Sequence, residues 1–209
     1  GPHERVAGGP AAGTGPALAG SWEVRQALGS AKFWRLWGAT CLVGAAGIAM
    51  VTLSTAYGLA LGLPLSRAVW VLIGFNTGSG LSRLLLGHLS DRLERSGLMA
   101  LAFILAGAAY LALPWAGGLI GAALLAAGVG MAFGAMFAVG APLAADLFGP
   151  RHFGEIFGLL FTSYGFLSGA LGPALAGAIL DATNGNFVIV FGYLGLFCLV
   201  AAGLVRGLR

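Results

Sequence analysis

The amino-acid sequence predicts an all-α membrane protein that crosses the bilayer six times. Apolar residues make up 58% of the 209 positions and charged residues only 9%, whereas soluble domains carry about 25% charged residues. The apolar residues also fall into six continuous segments, each near the length that a bilayer core requires of a helix. A transmembrane β-barrel would instead show alternating segments of about ten residues. Lipid must therefore solvate most of the protein surface.

The first 32 residues precede the apolar segments. Residues 1–20 are rich in glycine, proline and alanine, a composition that predicts a disordered linker. Residues 21–32 predict a short amphipathic helix on the cytoplasmic membrane surface, with Ser21 as its cap. Because the chain begins at glycine rather than methionine, we expect it to be a fragment of a longer protein.

Residues 33–209 form the predicted transmembrane domain. Its six spans cover about 33–61, 68–90, 97–114, 118–146, 153–180 and 187–205. Each span is expected to be helical, because backbone polar groups in lipid must be satisfied within the segment itself. The connections are short, so the chain is expected to alternate between the two sides of the membrane.

The basic residues set the predicted orientation. When successive connections between spans are assigned to alternate sides of the membrane, Arg67 is the only basic residue on one of the two sides. Nine basic residues lie on the other side: Arg5, Arg25, Lys32, Arg35, Arg92, Arg95, Arg151, Arg206 and Arg209. The positive-inside rule then places both termini in the cytoplasm. This topology also explains the net charge of +4 better than a nucleic-acid partner does.

Arg83 is the most informative residue, because it is an arginine that lies well inside the second predicted span. It lies seven residues before Ser90, about 10 Å from the cytoplasmic end of the helix. A charged side chain at the centre of a span costs about 2.5–3.5 kcal/mol on insertion scales. Three alternatives explain it: binding of a substrate anion, a structural pair with a protein carboxylate, or snorkelling to the interface. No acidic residue lies in the middle of a span, which leaves only Asp146 or Glu155, near the cytoplasmic ends, as counter-ions.

Small and polar residues accompany Arg83 at helical spacing. The stripe consists of Asn76, Ser79, Gly80, Arg83 and Gly87, which follow the i, i+3, i+4, i+7 pattern. A cationic stripe without a fixed partner suits a carboxylate, which arginine binds through two parallel hydrogen bonds. Asn76 and Ser79 taken alone could equally form ordinary hydrogen bonds between helices.

Two further features could serve a conformational change. Asp91 and Arg92 follow the second span, where ion pairs and helix-dipole contacts can latch one conformation; a solvated, orienting charge cluster is the alternative. In the fifth span, glycines recur near three- and four-residue spacing and predict a close-packing face. They are Gly154, Gly158, Gly165, Gly169, Gly172 and Gly177. Tyr164 places a hydroxyl near the middle of that span.

No catalytic or cofactor-binding motif is present. The sequence has no P-loop, no HExxH, no Gly-x-Ser-x-Gly and no dinucleotide fingerprint. The histidines are far apart in sequence, and the two cysteines lie within apolar runs. The sequence therefore predicts neither an enzyme nor a metal site, and it implies no cofactor.

The loop after the second span resembles a loop motif of the major facilitator superfamily, Gly-x-x-x-Asp-Arg-x-Gly-Arg. Gly87, Asp91, Arg92 and Arg95 match it, and Glu94 stands where glycine is usual. We predict that the four matching residues form the conformational latch. The resemblance covers about residues 21–209 and implies the carboxy-terminal six-helix half of that fold. Residues 80–92, 148–187 and 21–37 resemble the oxalate/formate antiporter family, which is similar to the monocarboxylate transporters.

This resemblance implies a secondary transporter of small carboxylates in a membrane that is expected to be the bacterial inner membrane. Arg83 matches the arginine that contacts the substrate carboxylate, and Tyr164 stands where dicarboxylate carriers place a second cation. The resemblance therefore favours a monocarboxylate, held by Arg83 with Asn76 and Tyr164 shaping the site. The expected partners are the lipid bilayer and an amino-terminal six-helix half. The rival functions are a carrier of neutral or cationic solutes, such as a drug exporter, and a non-transporting membrane subunit.

Overall fold

The computed structural model describes residues 21–208, and every described element is helical. The elements are α1 (Val24–Leu28), α2 (Ala31–Ala60), α3 (Leu65–Ser90), α4 (Arg95–Ala112), a 3₁₀ turn (Leu113–Trp115), α5 (Leu119–Phe148), α6 (Phe153–Thr162), two π-helical segments (Ser163–Ser168 and Ala170–Ala174), α7 (Leu175–Ala182) and α8 (Phe187–Arg206). The linker predicted for residues 1–20 lies outside the described residues.

Six helices are long and apolar enough to cross a membrane, as the sequence predicts. The fifth of these is the continuous run Phe153–Ala182, which joins α6, the π-helical segments and α7. Helix ends carry the expected signals: Ser30 accepts a hydrogen bond from the Phe33 amide at the start of α2. Gly149 ends α5 with φ of 79°, a left-handed conformation that glycine adopts without strain.

α3 and α5 pack with their backbones in close contact. A Cβ at Gly130 or Gly134 of α5 would overlap the backbone of α3 at Phe75 or Ser79. Glycine at these positions lets two apolar helices approach closely where no hydrophobic force between them is available in lipid. Ser79 is accordingly only 5% exposed. Its predicted place on an open stripe with Arg83 is wrong, because it faces α5.

α2 is the central helix and packs against α3, α5, α8 and the first π-helical segment. Hydrogen bonds to carbonyl groups accompany this packing. The buried Tyr110 hydroxyl of α4 donates to the Ala46 carbonyl of α2 at 2.6 Å. The Ser168 hydroxyl of the fifth span donates to the Cys41 carbonyl at 2.9 Å. These bonds satisfy polar groups inside the bundle, where an unpaired donor is costly.

The fifth span departs from α-helical geometry between Ser163 and Ala174. Pro173 has no amide hydrogen to donate and disfavours regular α-helix, and the Ser168 hydroxyl donates to the carbonyl of Ser163, five residues earlier, at 3.1 Å. Gly172 packs directly against the Ala45 backbone of α2. π-Helical segments inside helices are rare and frequently occur at functional sites.

The predicted glycine face of the fifth span is mostly wrong for this bundle. Only Gly172 packs against a neighbouring helix. A Cβ at any of the other five would meet nothing within 4 Å in the described structure: Gly154, Gly158, Gly165, Gly169 and Gly177. They lie on the sides of the span that point away from α2, so helical spacing alone did not reveal where they face.

The segment before α2 lies across the end of α5. The Trp22 amide donates to the Phe148 carbonyl at 2.8 Å, and the two rings meet edge to face at 5.8 Å. Ala27 is fully buried. The residue that caps α1 is Glu23, which forms a reciprocal capping box with Gln26. Ser21, the predicted cap, does not cap the helix. Its hydroxyl is buried and has no hydrogen-bond partner in the described structure.

Candidate functional site

Arg83 projects from an exposed part of α3. Within residues 21–208 its side chain makes no hydrogen bond or ion pair, and its guanidinium carbon lies over the Phe137 ring, 4.8 Å from the ring centre. The two carboxylates considered as counter-ions are engaged elsewhere. Asp146 binds Arg95 at 2.6 Å, and Glu155 lies 4.0 Å from His152. The described structure therefore gives no support to a structural carboxylate pair for Arg83.

The surroundings of Arg83 on α3 are of two kinds. Large apolar side chains occupy the adjoining outer side, where Leu84 is 75% exposed. The opposite side of α3 packs against α5. Arg83 lies at the border between these two sides, next to α5, and this position brings its guanidinium to Phe137. A cation over an aromatic face is attracted by the ring quadrupole, by about 0.5–2 kcal/mol.

Phe137 also contacts Tyr164 of the fifth span. The two rings meet edge to face with centres 5.4 Å apart, and Phe161 adds a third ring 5.8 Å from Phe137. One phenylalanine thus links the two residues that the sequence analysis selected on different spans. Phe137 itself was missed, because an apolar residue in an apolar run carries no signal until its neighbours are known.

Tyr164 lies in the first π-helical segment and is half-buried. Its ring fits beside Gly44 of α2, where a Cβ would come within 2.9 Å of the Tyr164 Cδ2 atom. The ring is therefore held by α2 and by the aromatic cluster, and its hydroxyl has no hydrogen-bond partner in the described part of the chain. A hydroxyl held in this way is available to a ligand.

Asn76 lies two helical turns from Arg83 on α3, about 10 Å along the axis. Its side-chain amide donates to the Leu72 carbonyl of the same helix at 3.0 Å. The side-chain oxygen remains available as an acceptor at this exposed position. Asn76 and Arg83 thus share a side of α3 but are not in contact.

Arg95 connects the loop after α3 to the end of α5. Its guanidinium lies 3.7 Å from Asp91 and 2.6 Å from Asp146. It also donates to the carbonyl groups of Ser90 and Pro142, at 3.3 and 3.2 Å. Of the predicted latch residues, the structure brings Asp91 and Arg95 together and adds Asp146, which the sequence analysis had not assigned to the latch.

The other two predicted latch residues take no part in this cluster. Arg92 is exposed and makes no hydrogen bond or ion pair with residues 21–208. A Cβ at Gly87 would meet nothing within 4 Å in the same part of the chain. Both face open space in the described bundle.

No group of three or more His, Cys, Asp or Glu side chains in residues 21–208 is arranged to hold a metal ion. Within residues 21–208, six membrane-length helices, with α2 at their centre, define a multi-pass integral membrane protein. Residues 9–209 match the Major Facilitator Superfamily, and the chain belongs to that family. Members of this family are generally transporters rather than enzymes, so the protein is a membrane transporter, and its six helices are consistent with one half of the family fold.

Proposed function

We propose that this transporter carries a small organic anion, a monocarboxylate, and that Arg83 binds its carboxylate. The observation that supports this most is an arginine on a membrane-spanning helix that lacks a carboxylate partner within residues 21–208. An arginine side chain cannot lose its charge. A visiting anion would supply the missing counter-charge.

The contact with Phe137 leaves Arg83 able to bind an anion. The guanidinium carbon lies over the ring. When the flat face of the guanidinium contacts the ring, the N–H groups of Arg83 project from the edge of the guanidinium plane. Those N–H groups form a planar fork that matches a carboxylate through two parallel hydrogen bonds. Phe137 would thus hold the side chain without occupying the donors that the substrate needs.

The neighbouring residues suit a small substrate with one negative charge. The Phe137 cluster consists of four aromatic rings: Phe133, Phe137, Phe161 and Tyr164. Within the described residues, Arg83 is the only cation in contact with this cluster. We propose that the Tyr164 hydroxyl donates to a second oxygen of the substrate and that Asn76 contributes an acceptor further along α3. A second carboxylate would have no cation of its own among these residues.

The proposed transport cycle is alternating access, in which two six-helix halves rock around a site between them. An amino-terminal half would face Arg83 and Tyr164 and complete the site. We propose that Gly87, Asp91, Arg92 and Arg95 form a latch that opens and closes at one end of the bundle during this motion. Both termini would lie in the cytoplasm of a bacterial cell, with the transporter in the inner membrane.

The test is transport by the full-length protein reconstituted in proteoliposomes loaded with radiolabelled lactate, pyruvate, formate or oxalate. Arg83→Gln should lower carboxylate transport about 10- to 100-fold, because a charge-assisted hydrogen bond contributes about 1.5–3 kcal/mol. Arg67→Gln is the matched control, since Arg67 is an exposed arginine in the first turn of the same helix, α3, and its transport should match the wild type. Monocarboxylates should be carried in preference to oxalate.

Unchanged carboxylate transport by a folded Arg83→Gln protein would contradict the proposal. Transport of cationic or neutral drugs in place of carboxylates would favour the drug-exporter alternative. A well-folded wild-type protein that carries none of these solutes but retains a stable protein partner would favour a non-transporting membrane subunit.

A further inference from the structure

A groove between α4 and α8 lies away from the Phe137 cluster and plays no part in the proposed transport site. Its volume is about 250 Å³. It is lined by Ser96, Gly97, Ala100, Leu101, Ile104 and Arg206. The two helices run antiparallel, because Gly107 faces Gly195 near their middles while the start of α4 meets the end of α8 at this groove.

The groove opens onto a surface of large apolar side chains. Leu101 and Ile104 of α4 are 53% and 41% exposed, and Leu196 and Val200 of α8 are 57% and 46% exposed. Large apolar side chains on membrane-spanning helices are stable when lipid or another apolar surface covers them.

One end of the groove carries a positive charge. Arg206 is the last residue of α8 and is exposed. It makes no hydrogen bond or ion pair within the described range 21–208, and the carbonyl of the adjacent Gly207 accepts a hydrogen bond from Arg35. A cation at the end of a span lies at the depth of lipid headgroups, where basic residues attract anionic lipids.

The apolar part of the groove lies deeper in the membrane than Arg206. Leu101 and Ile104 follow Gly97 by four and seven residues on α4, which places them about 6 and 10 Å further along the helix axis. The order from charged end to apolar wall matches the order from phosphate to acyl chain in a phospholipid. The carboxylate of Glu94 accepts the Ser96 hydroxyl at 2.9 Å on the α4 side, so a phosphate is best accommodated on the α8 side, at Arg206.

We propose that this groove binds one anionic phospholipid, with the phosphate at Arg206 and the upper part of an acyl chain against Leu101 and Ile104. The complementarity of charge and of depth identifies this occupant. Such a lipid joins the beginning of α4 to the end of α8 and stabilises their contact. The inference stands independently of the transported solute.

Native mass spectrometry of the full-length protein, purified in detergent and stripped of lipid, tests this. The probes are phosphatidylglycerol, phosphatidylcholine and free glycerol phosphate. Wild type should retain one phosphatidylglycerol per chain in preference to phosphatidylcholine, and Arg206→Gln should weaken retention about five-fold, the effect of one interfacial charge. Gly97→Leu, which fills the groove without removing Arg206, should reduce retention of both lipids.

Arg151→Gln is the matched control, because Arg151 is an exposed arginine in the loop after α5 and does not line the groove. Equal retention of both lipids by wild type would overturn the proposal, as would the same loss with Arg206→Gln and Arg151→Gln. Binding of glycerol phosphate as strong as that of the lipid would reduce the site to a bare phosphate site. A protein dimer that forms through this groove and excludes lipid would show that a second copy, rather than lipid, is the occupant.

Discussion

At the scale of single residues, the environment of Arg83 is unusual because an aromatic ring replaces the carboxylate that a membrane arginine would be expected to have. The free energy of the contact with the ring does not by itself offset the cost of placing the Arg83 charge in the membrane. A cation–π contact contributes about 0.5–2 kcal/mol, whereas insertion of an arginine at mid-span costs about 2.5–3.5 kcal/mol. A bound anion, or water reached in an open cavity or by snorkelling to the interface, has to supply the difference.

This balance predicts the effect of removing the ring. Phe137→Leu keeps an apolar side chain but removes the aromatic face that holds the guanidinium. We expect the KM for a carboxylate substrate to rise about 2- to 20-fold, with a smaller change in the maximal rate, because Arg83 remains but is less fixed. Uptake kinetics in proteoliposomes measure both quantities.

Phe197→Leu is the control for this variant. Phe197 packs against Tyr193 of α8 and has no ring contact with the Phe137 cluster, so the variant should leave the KM unchanged. An equal rise in KM for both phenylalanine variants would mean that general loosening of the bundle, rather than the contact with Arg83, is responsible.

The sequence indicated Arg83, Asn76 and Tyr164 as candidates, because polar groups in apolar runs are costly and therefore conspicuous. It gave no indication of Phe137, whose contact with Arg83 depends on which side chain lies opposite it. The error at Ser79 has the same origin. Helical spacing gives the angle between residues on one helix, but the direction of a neighbouring helix has to be known before an open side can be distinguished from a packed one.

At the scale of elements, the fifth span combines a helix irregularity with one close helix contact. Its π-helical segments lie between Ser163 and Ala174, and Gly172 packs against Ala45 of α2 within the second of them. The Tyr193 hydroxyl of α8 donates to the Gly172 carbonyl at 3.2 Å. Three membrane helices therefore meet at one glycine.

We predict that Gly172→Leu destabilises the protein, because even a Cβ there would overlap the Ala45 backbone. Overpacking of this kind costs about 1–3 kcal/mol. Gly177→Leu, with nothing near its Cβ, should leave the melting temperature in detergent within error of wild type. Equal melting temperatures for the Gly172 and Gly177 variants would show that α2 and the fifth span do not pack this closely.

The existence of six membrane helices was predictable, since continuous apolar runs of this length have few alternatives in a bilayer. The short helix α1 and its capping box were less predictable from the sequence. Five residues give too few periodic positions to locate a helix, and Ser21 offered a plausible cap two residues too early. The π-helical geometry was also out of reach of the sequence, because Pro173 indicates a distortion but not its form.

At the scale of the whole molecule, the bundle has two unlike sides. The fifth span and α3 are the least buried of the spanning helices, with 17% and 33% of their most apolar windows buried. Both sides expose large apolar side chains, including Phe166 of the fifth span and Leu84 of α3. The first side differs because the fifth span also exposes glycines and α3 also exposes Arg83 and Asn76. These open glycines and polar groups suit the first side to another protein surface, and the exposed leucine, isoleucine and valine side chains of α4 and α8 suit the second to lipid.

This contrast predicts different responses to equal changes on the two sides. Gly169→Leu adds bulk to the fifth span, and Gly203→Leu adds the same bulk to α8; neither Cβ has a neighbour within 4 Å in the described structure. If the fifth span faces an amino-terminal half, Gly169→Leu should lower transport at least about ten-fold while Gly203→Leu leaves it unchanged. Expression and melting temperature should be the same for both. Wild-type transport by the Gly169 variant would place lipid, not protein, against the fifth span.

The position of Trp22 on Phe148 has a mechanical consequence. The segment that precedes α2 contacts the carboxy-terminal end of α5 through Trp22 and Phe148. A force on the upstream polypeptide would therefore act on the α5–α6 turn before it acts on α2. Any displacement of the upstream polypeptide would therefore act on the end of the helix that carries Phe137, about three turns from the ring that contacts the Arg83 guanidinium.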